Sequence, residues 1–238
     1  MQMKLAVFDI DGTLTLGDGL GTSCFFGTFD ALFGGGDGTV DRRLESYAES
    51  TDCGIAREAA RRALGRDVDT GEFESFKSAY LELLAREIAA RERPYRALPG
   101  ADSILSAVAS GGSWQVAIAT GNWRRAACLK LECARIGIPE TVACSEDGAS
   151  RAGVLAAAVS AACAAAGGAR FERVVYVGDQ PWDLRAAREV GTAFVGVGGG
   201  QRRARLEREG AVVIESYLDQ DAFLSVLDRA APLGSRGA

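Results

Sequence analysis

Residues 4–13 read Lys4-Leu5-Ala6-Val7-Phe8-Asp9-Ile10-Asp11-Gly12-Thr13, a short apolar run delivering two carboxylates into a glycine turn. Continuous apolar character over Leu5–Phe8, with no polar alternation, predicts a strand buried on both faces, as in parallel sheets. Asp9 then emerges at the C-terminal end of that strand, where open α/β sheets place their ligands. Two carboxylates crowded beside an apolar strand resist joint ionisation unless a cation or hydrogen bonds compensate. A divalent metal is the simplest compensation. It would leave Asp9 ionised as a nucleophile, with Asp11 free to hold and release a proton as general acid and base. Taken alone, the same pentapeptide also suits a surface β-turn.

The rest of the chain narrows the choice. At 238 residues and 47% apolar content it can fill a substantial core. A net charge of −5 argues against general nucleic-acid binding. Only Lys4, Lys77 and Lys130 are lysines among 27 basic residues, so the arginines reflect a compositional bias, and the pairs Arg42-Arg43, Arg61-Arg62 and Arg202-Arg203 read as solvated helix faces. The chain has no histidine. That removes Ser-His-Asp triads, histidine phosphotransfer and imidazole-bound zinc. Six cysteines form no Cys-x-x-Cys pair and follow no signal peptide, which predicts a reduced, cytoplasmic protein. None begins the Cys-x5-Arg loop of thiol phosphatases. Residues 152–169 are uncharged, yet their Ala, Gly and Ser content and the Leu155/Val159 spacing predict a helix docked on a sheet, not a membrane span.

Apolar strand-like runs recur at Leu5–Phe8, Val116–Ala119, Val174–Val177 and Ala193–Val197 with helical patterns between the later ones. The alternation predicts an α/β, Rossmann-like parallel sheet flanked by helices. From about Thr15 to about Leu98 no strong strand candidate exists, whereas 22–33, 39–49, 52–64 and 72–92 read as helices. The expected organisation is a core of 1–16 and 98–238 with an inserted all-helical cap at 17–97. Leu16–Gly21 and Arg96–Gly100 are the expected hinges. Gly34–Gly38 reads as a cap turn, Gly198-Gly199-Gly200 follows a strand without completing G-x-G-x-x-G, and Pro232–Ala238 reads as a frayed tail.

Two further motifs fall at the same sheet edge as Asp9. The second strand ends Ala119-Thr120-Gly121-Asn122, where Thr120 offers a hydroxyl to a phosphate oxygen or caps a helix. A later strand runs into Gly178-Asp179-Gln180-Pro181-Trp182-Asp183, with Asp183 four residues after Asp179 across the first turn of a helix opened by Pro181. Hard oxygen ligands in this number suit Mg²⁺, which keeps several waters and bridges to substrate phosphate.

Asp9-x-Asp11-Gly12-Thr13-Leu14, Thr120 after an apolar strand, Arg151, and Gly178-Asp179-x-x-x-Asp183 resemble, in that order, the four motifs of the haloacid dehalogenase-like hydrolase superfamily. The likeness is closest to its phosphoglycolate-phosphatase-like and β-phosphoglucomutase-like members, whose helical cap follows the first strand. It implies that Asp9 attacks phosphorus and forms an aspartyl-phosphate, while Asp11 protonates the leaving oxygen and then activates water. Thr120, with the neighbouring Gly121 and Asn122, would hold phosphoryl oxygens, and Arg151 would neutralise their charge, with Lys130 as its rival. Asp179, Asp9 and the Asp11 carbonyl would bind Mg²⁺, with Asp183 a further ligand directly or through water. In that superfamily an acid two residues after the nucleophile favours phosphoryl transfer from oxygen esters. The expected activity is therefore Mg²⁺-dependent hydrolysis of a small phosphorylated metabolite of the phosphoglycolate kind, with no nucleic-acid or membrane partner. A sugar-phosphate mutase and a non-catalytic phosphate-binding protein are the alternatives. Thr51 and Asp52 either face the site or cap a helix.

Overall fold

The computed structural model describes residues 3–34 and 40–232. Six parallel strands form one sheet in the order β5-β4-β1-β6-β7-β8: β1 (Lys4–Phe8), β4 (Trp114–Ala119), β5 (Thr141–Ala143), β6 (Arg173–Gly178), β7 (Ala193–Val197) and β8 (Val212–Ile214). β1 lies between β4 and β6, with Phe8 in register with Ile118 and Val177. Its residues divide between two cores as the pleat requires. Ala6 and Phe8 pack on the side of α4 (Ala101–Ser110) and α9 (Gln220–Arg229), while Leu5 and Val7 face α6 (Arg151–Ala165) and α7 (Pro181–Val190). The uncharged stretch after Arg151 is thus a sheet-docked helix, with Val154, Leu155, Ala158 and Ala162 buried. No described helix is long and apolar enough to cross a membrane. All six cysteines are unpaired thiols.

Between β1 and β4 the chain builds a helical segment: α1 (Leu20–Phe33), α2 (Asp52–Leu64) and α3 (Thr70–Ala89). Each has the local signals that start a helix or stop it. Thr51 caps α2 by accepting the Gly54 N–H, and Asp69 and Glu72 form a reciprocal capping box at α3. Gly34 and Gly65 end α1 and α2 in left-handed conformations.

Three expectations are corrected. The expected helix at 39–49 reduces, over its described residues, to one 3₁₀ turn at Leu44–Ser46; the Asp41 side chain takes the Arg43 N–H at 2.9 Å and competes with helix formation. The expected hinges are partly strand: β2 (Thr15–Gly17) and β3 (Tyr95–Ala97) pair antiparallel, Thr15 opposite Ala97. Pro232 bridges to Ala193 rather than fraying. Residues 35–39 of the expected glycine turn and 233–238 of the tail lie outside the described residues. The remaining helices are α5 (Arg124–Ala134), which follows β4, and α8 (Gly200–Arg208), which follows β7.

Candidate active site

β1, β4 and β6 end side by side, and their C-terminal ends bring the acids together. Asp9, first after β1, is 3% exposed, and its Oδ1 lies 2.6 Å from a terminal nitrogen of Arg151. Burial pushes the Asp9 carboxyl up to about 7; Arg151 opposes that rise, while Asp183 and Asp11 add to it. Arg151 opens α6, an unfavourable place for a cation on dipole grounds. Burial also disfavours its charge, but Asp183 and Asp9 more than offset this and hold the guanidinium well above its ordinary range.

Asp11, Lys130 and Asn122 form a second, adjoining group. Lys130, from α5, donates to Asp11 Oδ2 at 2.6 Å and to Asn122 Oδ1 at 2.6 Å, and Asn122 Nδ2 donates to the same Asp11 oxygen at 2.7 Å. Burial alone would raise Asp11, but Lys130 and Asn122 outweigh it and hold its carboxyl below the usual range. Lys130 and Arg151, rivals in the sequence, therefore both reach the site with different acids. Thr120 is fully buried, and its hydroxyl accepts from Asn122 Nδ2 at 2.8 Å. Gly121 and Asn122, not Thr120, line the cavity. A Cβ on Gly121 would lie 2.5 Å from Arg151 and 2.4 Å from the Ser50 carbonyl, so only glycine permits that double approach.

Asp179, first after β6, accepts from Gln180 Nε2 at 2.7 Å and from Arg202 at 3.1 Å, both on Oδ2. Its Oδ1 is buried without a hydrogen-bond partner. Burial and Asp183 push its carboxyl well up, with Arg202 opposing. One carboxylate oxygen from each of Asp9, Asp179 and Asp183 falls within 4.8 Å of the other two. An orphaned buried oxygen beside a second carboxylate fits a hard divalent cation. Asp183 sits behind this pair: Oδ1 accepts from Arg151 and, at 3.2 Å, from the Tyr176 hydroxyl, and Oδ2 from the Asp179 and Gln180 N–H groups at 3.2 and 3.1 Å. Those donors engage both of its oxygens, and it orients Arg151 and the loop bearing Asp179. Gly12, at φ +77°, completes the turn; a Cβ there would lie 2.2 Å from Asp179 Oδ2.

Residues 3–191 match the model of the haloacid dehalogenase-like hydrolases. The chain belongs to that family. Comparison with curated proteins gives no match. Solved structures of the same fold include a hydrolase from Pseudomonas syringae, 22% identical over 94% of this chain and 98% of that one, with a TM-score of 0.68. CbbY from Rhodobacter sphaeroides, solved with phosphate, is 21% identical over 92% of this chain and 96% of its own, at 0.67. A β-phosphoglucomutase from Clostridium difficile is 15% identical over 95% of this chain and all of its own, at 0.62.

In this haloacid dehalogenase-like hydrolase the acids open into a cavity of about 310 Å³ between the sheet edge and the helical segment. Its far wall includes Phe25, Phe26, Ile55 and Tyr80, and one acid, Asp52. Thr51 is the helix cap, and Asp52, one residue on, faces the cavity. The sequence reading missed Arg202, which it placed on a solvated face with Arg203. Arg203 does make exposed pairs with Glu207 and Glu215, while Arg202 turns inward to Asp179. The available signal was the glycine run after β7: Gly198, at φ +136°, leaves room that a Cβ 2.7 Å from Arg202 Cδ would take.

Proposed function

We propose that this hydrolase cleaves a small phosphorylated metabolite, with Mg²⁺ and an aspartyl-phosphate on Asp9, and that residues 17–97 act as its cap. The observation that carries the reading is the placement of Asp9, Asp11, Asp179 and Arg151 around one cavity at the C-terminal edge of the sheet. Asp9 is the nucleophile, and Arg151, 2.6 Å from its Oδ1, orients it and offsets charge on the phosphoryl oxygens. Mg²⁺, held by Asp9, Asp179 and the Asp11 carbonyl, would keep the nucleophile ionised despite burial and neutralise the phosphoryl group. Asp183 acts through Arg151 and the Asp179 loop. Gly121 and Asn122 present the phosphate-facing side of β4, with Thr120 fixing the Asn122 side chain.

Asp11 is the proton shuttle. Lys130 keeps it ionised at rest; an incoming phosphate dianion raises its proton affinity, so that it binds the proton it gives to the leaving oxygen. The ionised form then takes a proton from the water that releases phosphate. The test is hydrolysis of p-nitrophenyl phosphate with and without Mg²⁺. Turnover that needs the metal and vanishes in Asp9→Asn supports the assignment, and equal rates in the two proteins refute it. A mutase is the second reading, favoured by the name of the Clostridium difficile neighbour. Product analysis with a sugar phosphate separates it: release of inorganic phosphate marks the hydrolase, a shifted phosphate the mutase.

A further inference from the structure

Two helices of the inserted segment end at the cavity, and their N-termini are in opposite states. A helix leaves its first N–H groups without partners of their own, so each end is either capped or open to an anion. At α2 the donors are taken: the Asp52 N–H goes to the Gly121 carbonyl at 2.7 Å, the Cys53 N–H to Ser145 Oγ at 2.9 Å and the Gly54 N–H to Thr51 Oγ1 at 3.1 Å. At α1 they are open. Gly19, left-handed at the cap position, offers no side chain, and the first turn holds no acid. Among the described residues the N–H groups of Leu20 and Thr22 have no acceptor. Gly19, Leu20, Gly21 and Thr22 all line the cavity, together with β2 and Tyr95 of β3.

A second observation stands on the same turn. Tyr95 is 2% exposed, and its hydroxyl is buried without a hydrogen-bond partner. Burial pushes that hydroxyl up to about 12 against Lys130 and the Gly21 N–H, with Asp11 adding to the rise. It therefore keeps its proton, and a buried phenol with a proton to give calls for an acceptor. Gly21 is where the donors converge: a Cβ there would lie 3.0 Å from the Tyr95 hydroxyl and 3.3 Å from Lys130 Nζ. Lys130 spends two of its three ammonium protons on Asp11 and Asn122, and the third is left for this gap. Helix N–H groups, a phenolic O–H and an ammonium proton thus border one space. A set made of donors suits an oxyanion.

Resting on the phosphatase reading, we propose that this turn is a second anion subsite, where the N–H groups of α1, the Tyr95 hydroxyl and Lys130 hold a carboxylate or phosphate carried by the leaving group. Lys130 sets the spacing. It lies 2.6 Å from Asp11, the proposed proton donor to the leaving oxygen, and the same ammonium borders the subsite, so only a short spacer separates that oxygen from the second anion. The size agrees: about 310 Å³ is roughly ten times the ~30 Å³ of a water, room for a phosphate, a short spacer and one more anionic group. Asp52, the acid of the helical wall, is anchored through Oδ2 by the Trp123 N–H at 2.8 Å and faces the cavity from α2, not from this turn.

The test compares 2-hydroxyethyl phosphate with phosphoglycolate and with ethylene glycol bisphosphate, compounds that differ by the charge added at the far end. Binding to the Asp9→Asn protein with Mg²⁺, followed by calorimetry, needs no turnover. At least one anionic ester is expected to bind about tenfold or more tightly than the hydroxyl ester, and the tighter of the two names the group the subsite takes. Two variants in the same background should each narrow that gap to about threefold or less. Tyr95→Phe removes only the hydroxyl; Gly21→Ala fills the gap with a methyl while favouring the helix. A smaller preference at the outset, a gap that stays wider in either variant, or no binding by any of the three overturns the proposal. Hydrolysis of p-nitrophenyl phosphate by the unmutated protein is measured alongside. Its absence refutes the phosphatase reading by itself, while the order of binding still decides the subsite.

Discussion

The two walls of the cavity are built on opposite principles. The sheet-side wall is a lattice of compensated charges in which Asp9, Asp11 and Asp179 each have a cationic partner within 3.1 Å. The helical wall is a cluster of rings joined to the core through Trp123, whose indole lies 5.5–6.0 Å from Phe25, Phe73, Phe76 and Tyr80. Under the proposed reaction, electrostatics would organise the side where charge develops, and apolar packing would shape the side that meets the remainder of the substrate. The difference teaches that charge compensation and ring packing rest on separable sets of residues in this molecule, so each wall can be broken alone.

Removing the nucleophile tests the charged wall most severely. Asp9→Asn should lower kcat for an aryl phosphate by on the order of 10⁴-fold or more while its melting transition stays cooperative; a rate within tenfold of the unmutated protein would contradict the division. The next largest effect belongs to the seam between the walls. Trp123 is fully buried, so Trp123→Ala should cost about 3–5 kcal/mol in urea denaturation. A cost below ~1 kcal/mol would mean that the rings do not join the two sides.

How much of this was legible in the chain follows the same division. β1, β4, β6 and β7 stood out because strands buried on both faces must be apolar at every position, and the acids after β1 and β6 marked the sheet edge. The edge strands β5 and β8 and the β2/β3 ribbon did not, since three residues such as Thr15-Leu16-Gly17 carry no readable period and owe their form to a partner distant in sequence. Asp41 hid the loss of the expected helix at 39–49, because a local side-chain bond to the Arg43 N–H leaves no mark in apolar periodicity. Arg202 was missed as a cavity-facing group because it depends on a close approach, permitted at Gly198, that only three-dimensional placement reveals, whereas for Thr51 and Asp52 the sequence left cap and site-facing roles open and the fold gives one to each. The Lys130/Arg151 choice was posed as exclusive, whereas two acids at one edge have room for two cations.

A smaller perturbation probes how tightly the charged wall is tuned. Gly12 holds φ +77°, and a Cβ there would meet Asp179 Oδ2 at 2.2 Å, so Gly12→Ala must displace the carboxylate or strain the turn. The expected result is Mg²⁺ affinity weaker by about 10–100-fold, as for other losses of carboxylate support, read by calorimetry on the ligand-free protein. Unchanged affinity would show that Asp179 tolerates movement.

The smallest effect concerns the acid in the apolar wall. Burial raises the Asp52 carboxyl to about 7, with Lys130 from α5 and the Trp123 N–H opposing the rise, and Asp11 and Glu146 adding to it. The unfolded chain releases this proton near its ordinary value of about 3.9. Between about pH 4 and pH 7 the native state therefore binds more protons than the unfolded one, and the contribution of Asp52 to stability falls as pH rises. Asparagine does not ionise, so the stability of Asp52→Asn relative to the unmutated protein should climb across that window and level off above it. Solvent screening at this half-buried group limits the climb to about 1 kcal/mol, measurable by urea denaturation at pH 4.5 and 7.5 without divalent cations. A flat or falling difference would mean that Lys130 keeps Asp52 ionised throughout, and the helical wall would then share in the charge compensation that otherwise separates the two sides.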